Sequence, residues 1–220
     1  MTAGPIDPTH FFIMRHGLTE WNRLGRIQGQ QDSPLSREGR AMIRLWCRHL
    51  QTVGLSRIYS SDLGRAQSTA DRIRQHLQLP LSVDRRLREQ DWGQWTGQSH
   101  RQLKRDAHDD YRRQAARGWH FRPPGGENHL QVLERGLGAL HDIAGRHPGE
   151  RILLVTHEGW MKCIFYHLAI RDGCGHPPVP MAGYHLHQLV AANGRLRLAQ
   201  ANWRDLMMDR PNHGAPETDR

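Results

Sequence analysis

Lysine is nearly missing from this chain: of 31 basic residues, only Lys104 and Lys162 are lysines. The formal net charge of +9 therefore rests on guanidinium groups, whose planar fork of donors suits phosphate or carboxylate. Genomic base composition can yield the same preference, and the arginines are scattered along the chain. No RRM, KH or zinc-finger signature accompanies them, so nucleic acid is not expected as a partner. Cysteine is scarce as well. Cys47, Cys163 and Cys174 include no C-x-x-C pair, which argues against a disulfide framework or a structural zinc and suits a reducing compartment. No apolar stretch is long enough to cross a bilayer, and MTAGPIDPTH lacks the basic-then-apolar pattern of a secretory leader. A soluble, cytoplasmic protein with no membrane partner is the expectation.

What the sequence does contain is alternation. Apolar runs stand at FFIM (11–14), RIYS (57–60), LSV (81–83) and RILLV (151–155), and a last pair, YHLHQLVAA and RLRLAQA, is separated by the hairpin signal Asn193-Gly194. Helical spacing fills the intervals. It covers 36–53 after Ser36, 63–78 with Ser61 or Asp62 as cap, 129–145 opened by Asn128 with Gln131 three residues on, and 158–170. Strands alternating with helices predict an α/β fold, a three-layer α/β/α sandwich with a mostly parallel central sheet and an edge hairpin. Residues 97–126, polar, basic and closed by Pro123-Pro124-Gly125-Gly126, break the pattern and read as a helical excursion over the sheet's carboxyl edge. The length predicts a single domain over 1–203, with 204–220 as a mobile tail.

Two of the apolar runs end alike. FFIM exits into Arg15-His16-Gly17, and RILLV exits into Thr156-His157-Glu158-Gly159. A lone histidine at a strand exit is more often a satisfied polar residue than a catalyst. Two of them, each with glycine within two residues, shift the odds toward a site at the carboxyl edge, where open α/β sheets bind ligands. IYSSDLGRAQSTA sends Arg65 from the first turn of the next helix, and arginines, glycines and a helix N-terminus together describe an anion pocket. LSVDRRLREQDWGQWTG adds Glu89 and Asp91; a proton shuttle is one reading of Glu89, and an ion pair with Arg86 or Arg88 is the other. His185 and His187 share one strand face and could hold a metal, although a half-exposed strand is the better reading. Trp92 and Trp95 are expected beside the site, with Trp119 and Trp160 in the core.

Arg15-His16-Gly17-x-Thr19-x-x-Asn22, Ser60-Ser61-Asp62-Leu63-x-Arg65-Ala66-x-x-Thr69-Ala70, Leu87-Arg88-Glu89 before Asp91-Trp92-Gly93, Pro124-Gly125-Gly126-Glu127 and Val155-Thr156-His157 resemble, in order, the histidine phosphatase superfamily, which includes cofactor-dependent phosphoglycerate mutases. The resemblance implies that His16 takes the phosphoryl group and that Arg15, Arg65 and His157 hold its oxygens. It also implies that Glu89 protonates the leaving oxygen and then activates water. Asn22, Thr19, Gln28, the backbone at Gly159, and Arg112 and Arg113 in the excursion become candidate substrate contacts. Glu158 departs from the small residue frequent at that place, and it is expected to face away from the phosphate or to pair with an arginine.

Other phosphatase chemistries fail on spacing. Six residues after the three cysteines stand Val53, Ala169 and Pro180 instead of arginine, and neither lysine follows a glycine as in a P-loop. The leading expectation is a phosphomonoesterase, with no metal or cofactor, acting on a small phosphorylated metabolite through phosphohistidine. A mutase and a catalytically inactive phosphate-binding scaffold are the alternatives, and a homodimer is left open.

Overall fold

The protein is described from a computed structural model, in which residues 7–172 and 181–208 are placed. Strand β1 (Thr9–Arg15) carries four consecutive fully buried residues, Phe11 to Met14. Such a run needs apolar cover on both faces, and alternation decides which residue faces which layer. Phe11 and Ile13 face a core built with the helices at His129–Arg146 and Glu158–Arg171, whereas Phe12 and Met14 face one built with those at Arg37–Leu50 and Gly64–Leu77. The strand is thus sandwiched, as the unbroken apolar run predicts.

The remaining strands are β2 (Arg57–Ser60), β3 (Leu81–Val83), β4 (Arg151–Thr156), β5 (His185–Ala192) and β6 (Arg195–Asp205). They form one sheet in the order β3-β2-β4-β1-β5-β6, parallel from β3 to β1 and antiparallel thereafter. The β5–β6 hairpin turns on Asn193 and Gly194, with φ of 50° and 72°. Positive φ at both turn positions matches the right-handed strand twist, which is why Asn-Gly is such a strong hairpin signal.

Helices in chain order are α1 (Glu20–Arg23), α2 (Arg37–Leu50), α3 (Gly64–Leu77), α4 (His100–Asp106), α5 (His108–Ala115), α6 (His129–Arg146) and α7 (Glu158–Arg171). Ser36 caps α2, and Asn128 with Gln131 forms the expected capping box on α6. The start of α3 is a correction. Leu63, not Ser61 or Asp62, occupies the N-cap, and the orphan N–H groups of Gly64 and Arg65 donate to the Asp32 carboxylate at 2.6 and 3.2 Å. Asp62 is instead drawn to Arg88, 2.6 Å away.

The boundary at 203 is also corrected. β6 runs to Asp205, Trp203 packs on the Phe12 ring at 5.2 Å, Arg204 donates to the His49 carbonyl at 2.8 Å, and Leu206 is fully buried. The rest of the expected tail, 209–220, lies outside the described residues, as does Cys174. Residues 97–126 supply α4, α5 and a 3₁₀ turn at Gly118–His120, which pack a small core of their own from Ile27, Trp95, Leu103 and Phe121. No helix among the described residues is long and apolar enough to cross a membrane.

Candidate active site

Adjacent parallel strands bring the two histidines together. Arg15 of β1 is in register with Thr156 of β4, and the ladder continues one step further as His16 N–H donates to the Thr156 carbonyl at 3.0 Å. His16 and His157 therefore leave the sheet side by side, with ring centroids 5.2 Å apart. Thr156 anchors the exit by donating from its hydroxyl to the Leu87 carbonyl at 2.7 Å.

The His16 ring is oriented from both ends. Nδ1 lies 2.8 Å from the Gly17 carbonyl, so the tautomer with its proton on Nδ1 satisfies that oxygen and leaves Nε2 unprotonated, as an acceptor. Arg65 Nε points at Nε2 from 3.2 Å. Burial, then the charges of Arg65 and Arg15, hold the His16 imidazole well below its usual pKa, against the opposing pull of the Gly17 carbonyl. The ring is neutral at pH 7, the form that can act as a nucleophile.

Arg65 is itself buried, its side chain 1% exposed. NH1 donates to the Gln31 carbonyl at 2.7 Å and to Asp32 at 2.9 Å, and NH2 donates to the Gly29 carbonyl at 2.7 Å. The loop from Gly29 to Asp32 thus clamps the guanidinium, and Asp32 serves it twice, as countercharge and as cap of its helix. Neither Asp32 nor this loop was singled out in the sequence, because their link to Arg65 spans some thirty residues with no periodicity to mark it.

Glu89 is bound to neither Arg86 nor Arg88, which pair with Asp84, Asp142 and Asp62. Its carboxylate accepts N–H bonds from Gln90 at 2.9 Å, Trp160 at 3.0 Å and Gly159 at 3.1 Å, two of them from the first turn of α7. Behind it, Arg135 donates to the carbonyls of Arg86, Arg88 and Glu89 within 2.7–3.0 Å while pairing with Glu127 at 2.9 Å. This explains the motif position of Glu127. With Arg135, which the sequence reading missed, it fixes the strand exit that carries Glu89.

Gly159 is needed for that arrangement, since a Cβ there would stand 2.5 Å from Glu89 Oε1. Gly159→Ala is expected to push the pinned carboxylate aside and lower kcat on the order of a hundredfold, the scale of a displacement near 1 Å. Circular dichroism should show an unchanged fold, and steady-state kinetics with unaltered kcat would refute the constraint.

Arg15 and Glu158 pair at 2.6 Å, and Lys162 joins Glu158 at 2.5 Å. Burial works to raise the Glu158 pKa, but the two cations outweigh it and hold the carboxyl below its usual range. The expected arginine partner is found, although Glu158 still lines the cavity instead of facing away from it. The cavity, about 860 Å³, also takes in Arg15, His16, Asn22, Gln28, Arg65 and Glu89. His157 sits one layer deeper, fully buried. Both its ring nitrogens, Arg15 Nε and Gln28 Oε1 are buried polar atoms with no hydrogen-bond partner. Cys163 reaches the cavity wall, but burial pushes its thiol up to about 12, so it is no nucleophile at neutral pH.

Several candidate contacts are corrected. Thr19 is fully buried and caps α1 in a box with Asn22, whose Oδ1 is spent on Thr19; only Asn22 of the two faces the cavity. The Gly159 N–H is committed to Glu89. Arg112 and Arg113 lie on the solvent face of α5, with Arg113 paired to Asp110, while half-buried Tyr111 and exposed Ala115 border the cavity. The spacing of Tyr111 and Ala115, four apart on one helix face in HDDYRRQA, is the signal that could have found them. Trp160 is core and Trp92 lines the cavity, but so does Trp119. His187, far from half-exposed, is buried against Phe165 and accepts from the Asn202 N–H at 3.0 Å.

Burial lowers the pKa of three histidines the most, His16 and His157 well below 6.5 and His187 to about 4. Each takes up a proton more readily when unfolded, so its contribution to stability is complete above the unfolded pKa of about 6.5 and is lost as pH falls below it, at about 1.4 kcal/mol per pH unit for each ring. The melting temperature should accordingly drop by about 10 °C or more between pH 7 and pH 5. A flat melting profile by calorimetry over that interval would contradict the buried neutral rings.

Comparison with known proteins bears on the family and the fold. A model of the histidine phosphatase superfamily (branch 1) matches residues 11–204. A protein of Cronobacter sakazakii, named probable phosphoglycerate mutase GpmB, is 38% identical over 154 residues, 70% of this chain and 71% of its own. Among solved structures, Bacillus stearothermophilus YhfR aligns with a TM-score of 0.76 at 32% identity, covering 88% of this chain and 96% of its own. A mycobacterial glucosyl-3-phosphoglycerate phosphatase, solved with VO3, aligns with a TM-score of 0.70 at 28% identity, covering 87% and 99%.

Proposed function

The chain belongs to the histidine phosphatase superfamily, and from that premise we propose that it is a metal-independent phosphomonoesterase acting on a small phosphorylated metabolite through phosphohistidine. The supporting observation is the unsatisfied set around His16. A neutral imidazole offers Nε2 to a cavity at and behind whose wall Arg15 Nε, Gln28 Oε1 and both His157 nitrogens have unspent hydrogen-bonding capacity. Buried polar atoms without partners are costly, and a bound phosphoryl group would use the donors among them.

In the first step the Nε2 lone pair attacks phosphorus, the ester P–O bond breaks, and Glu89, entering the step in its protonated form, gives that proton to the departing alkoxide. In the second, water attacks the phosphohistidine, Glu89 takes the proton, and the P–N bond breaks to release phosphate. Phosphoryl transfer asks mainly for positioning and for neutralisation of the equatorial oxygens, which Arg15 and Arg65 supply as fixed charges. Arg112 and Arg113, the candidate substrate contacts of the excursion, face solvent, which supports hydrolysis over transfer to a second phosphoacid.

The test is phosphate release from small phosphoesters in the presence of chelator, with 3-phosphoglycerate assayed with and without 2,3-bisphosphoglycerate. Chelator-resistant release is expected. Isomerisation of 3-phosphoglycerate without release would make the protein a mutase and overturn the reading.

A further inference from the structure

Beyond the phosphoryl end, the cavity changes character. One wall is α7, along which Lys162, Cys163, Tyr166 and Ile170 follow Gly159. From Gly159 to Ile170 the helix rises roughly 17 Å at 1.5 Å per residue, so this wall leads well away from His16. The other wall comes from the excursion and its flanks: Trp92, His100, Tyr111, Trp119, Phe121 and His129. These rings brace one another. Phe121 stacks on His129 at 5.0 Å, Trp92 meets both Phe121 and His100 edge-on at 5.5 Å, and Trp119 meets His129 edge-on at 6.5 Å. Burial keeps the pKa of His100 and His129 lowered, so both rings serve as neutral aromatic surface.

Charge to greet an acidic substrate is sparse here. Lys162 is tied to Glu158, which it shares with Arg15, the excursion's Arg112 and Arg113 face solvent, and Arg26 is an exposed cation at the rim. A cavity of about 860 Å³ lies at the upper end of the roughly 300–1,000 Å³ range of pockets that enclose drug-sized ligands. A three-carbon phosphoacid would leave most of it empty and its carboxylate without a buried partner.

We infer that the excursion and α7 form a binding alcove for the alcohol portion of the substrate, and that this portion is a planar aromatic group. The inference rests on the phosphomonoesterase reading for its phosphoryl end. The alcove faces the ester oxygen because it opens from the same cavity as His16 and Glu89. Preformed rings lose little freedom when a flat group slides between them, and aromatic pairs add attraction beyond burial alone.

Two alkyl esters with leaving alcohols of similar basicity isolate the alcove from intrinsic reactivity: 2-(1-naphthyl)ethyl phosphate and ethyl phosphate. The naphthyl ester is expected to have kcat/KM at least about tenfold higher, through KM, as burial of one ring predicts. The corresponding phosphonates, which cannot be hydrolysed, should differ similarly in affinity by calorimetry on the intact protein. Tyr111→Ala and Trp119→Ala should erase most of the preference, and Tyr111→Phe should retain it.

Hydrolysis of both esters with equal kcat/KM, and equal phosphonate affinities, would overturn the alcove and leave the phosphatase reading standing. Selective binding of the naphthyl phosphonate with no phosphate release from any ester would do the reverse. The ligand comparison on the unaltered protein decides the matter even where a variant fails to fold.

Discussion

His16→Ala should yield a folded protein that releases no phosphate and takes up no phosphoryl label, a loss on the order of 10⁴-fold or more, as when a covalent nucleophile is removed elsewhere. The imidazole makes only two hydrogen-bonding contacts, with the Gly17 carbonyl and Arg65 Nε, so the structural cost is that of one small buried side chain, about 1–3 kcal/mol. Two readouts separate chemistry from folding: phosphate release, and intact-mass detection of an acid-labile adduct after a brief pulse of substrate. Label retained in the variant would move the nucleophile elsewhere, with His157 the first place to look. Ester binding without labelling of the intact protein would instead favour an inactive phosphate binder.

Arg65→Met ranks second in expected effect. Methionine keeps much of the length and apolar stem but loses every contact that matters: the bond to His16 Nε2, the two loop carbonyls and the Asp32 pair. Losing one preorganised donor of this kind costs roughly 10²–10³ in rate. Asp32 would also lose its countercharge, but with 40% of its side chain exposed it can turn to water, so the stability penalty stays well short of that for an isolated buried charge. Arg65→Lys is expected to rescue little. An ammonium cannot reach His16, Gly29, Gln31 and Asp32 at once as the planar fork does. Single-turnover labelling of His16 is the decisive measurement, and near-normal labelling with lysine would show that charge alone suffices.

The sheet and its helices were largely legible because they are written in local periods. FFIM and RILLV are unbroken because both faces of β1 and β4 are covered, and Ser36 and Asn128 announce their helices through side-chain oxygens that satisfy orphan N–H groups. His16, His157, Arg65 and Glu89 could be read because they sit just past strand ends, where register alone carries them to one edge. Periodicity stops short at β6, whose register shifts opposite Leu186 to Leu189 of β5 and partly exposed far end hide the strand's continuation to Asp205.

By itself, then, the sequence determined the layered fold, the place of His16 and His157 at the sheet's carboxyl edge and the order of the motifs, since each depends on spacing within a few residues. Tertiary structure alone decided who holds the catalytic groups and what the cavity presents to substrate. Asp32 reaches Arg65 across a loop, Arg135 collects three carbonyls from another segment, and Glu158 turns to Arg15. The excursion makes the same point most sharply. In α5 consecutive residues diverge by about 100° around the helix axis, so whether Tyr111 or its neighbours Arg112 and Arg113 face the cavity depends on the helix's rotation. Packing on Trp95, Leu103 and Phe121 sets that rotation, turning the aromatic ring inward and the guanidiniums to water.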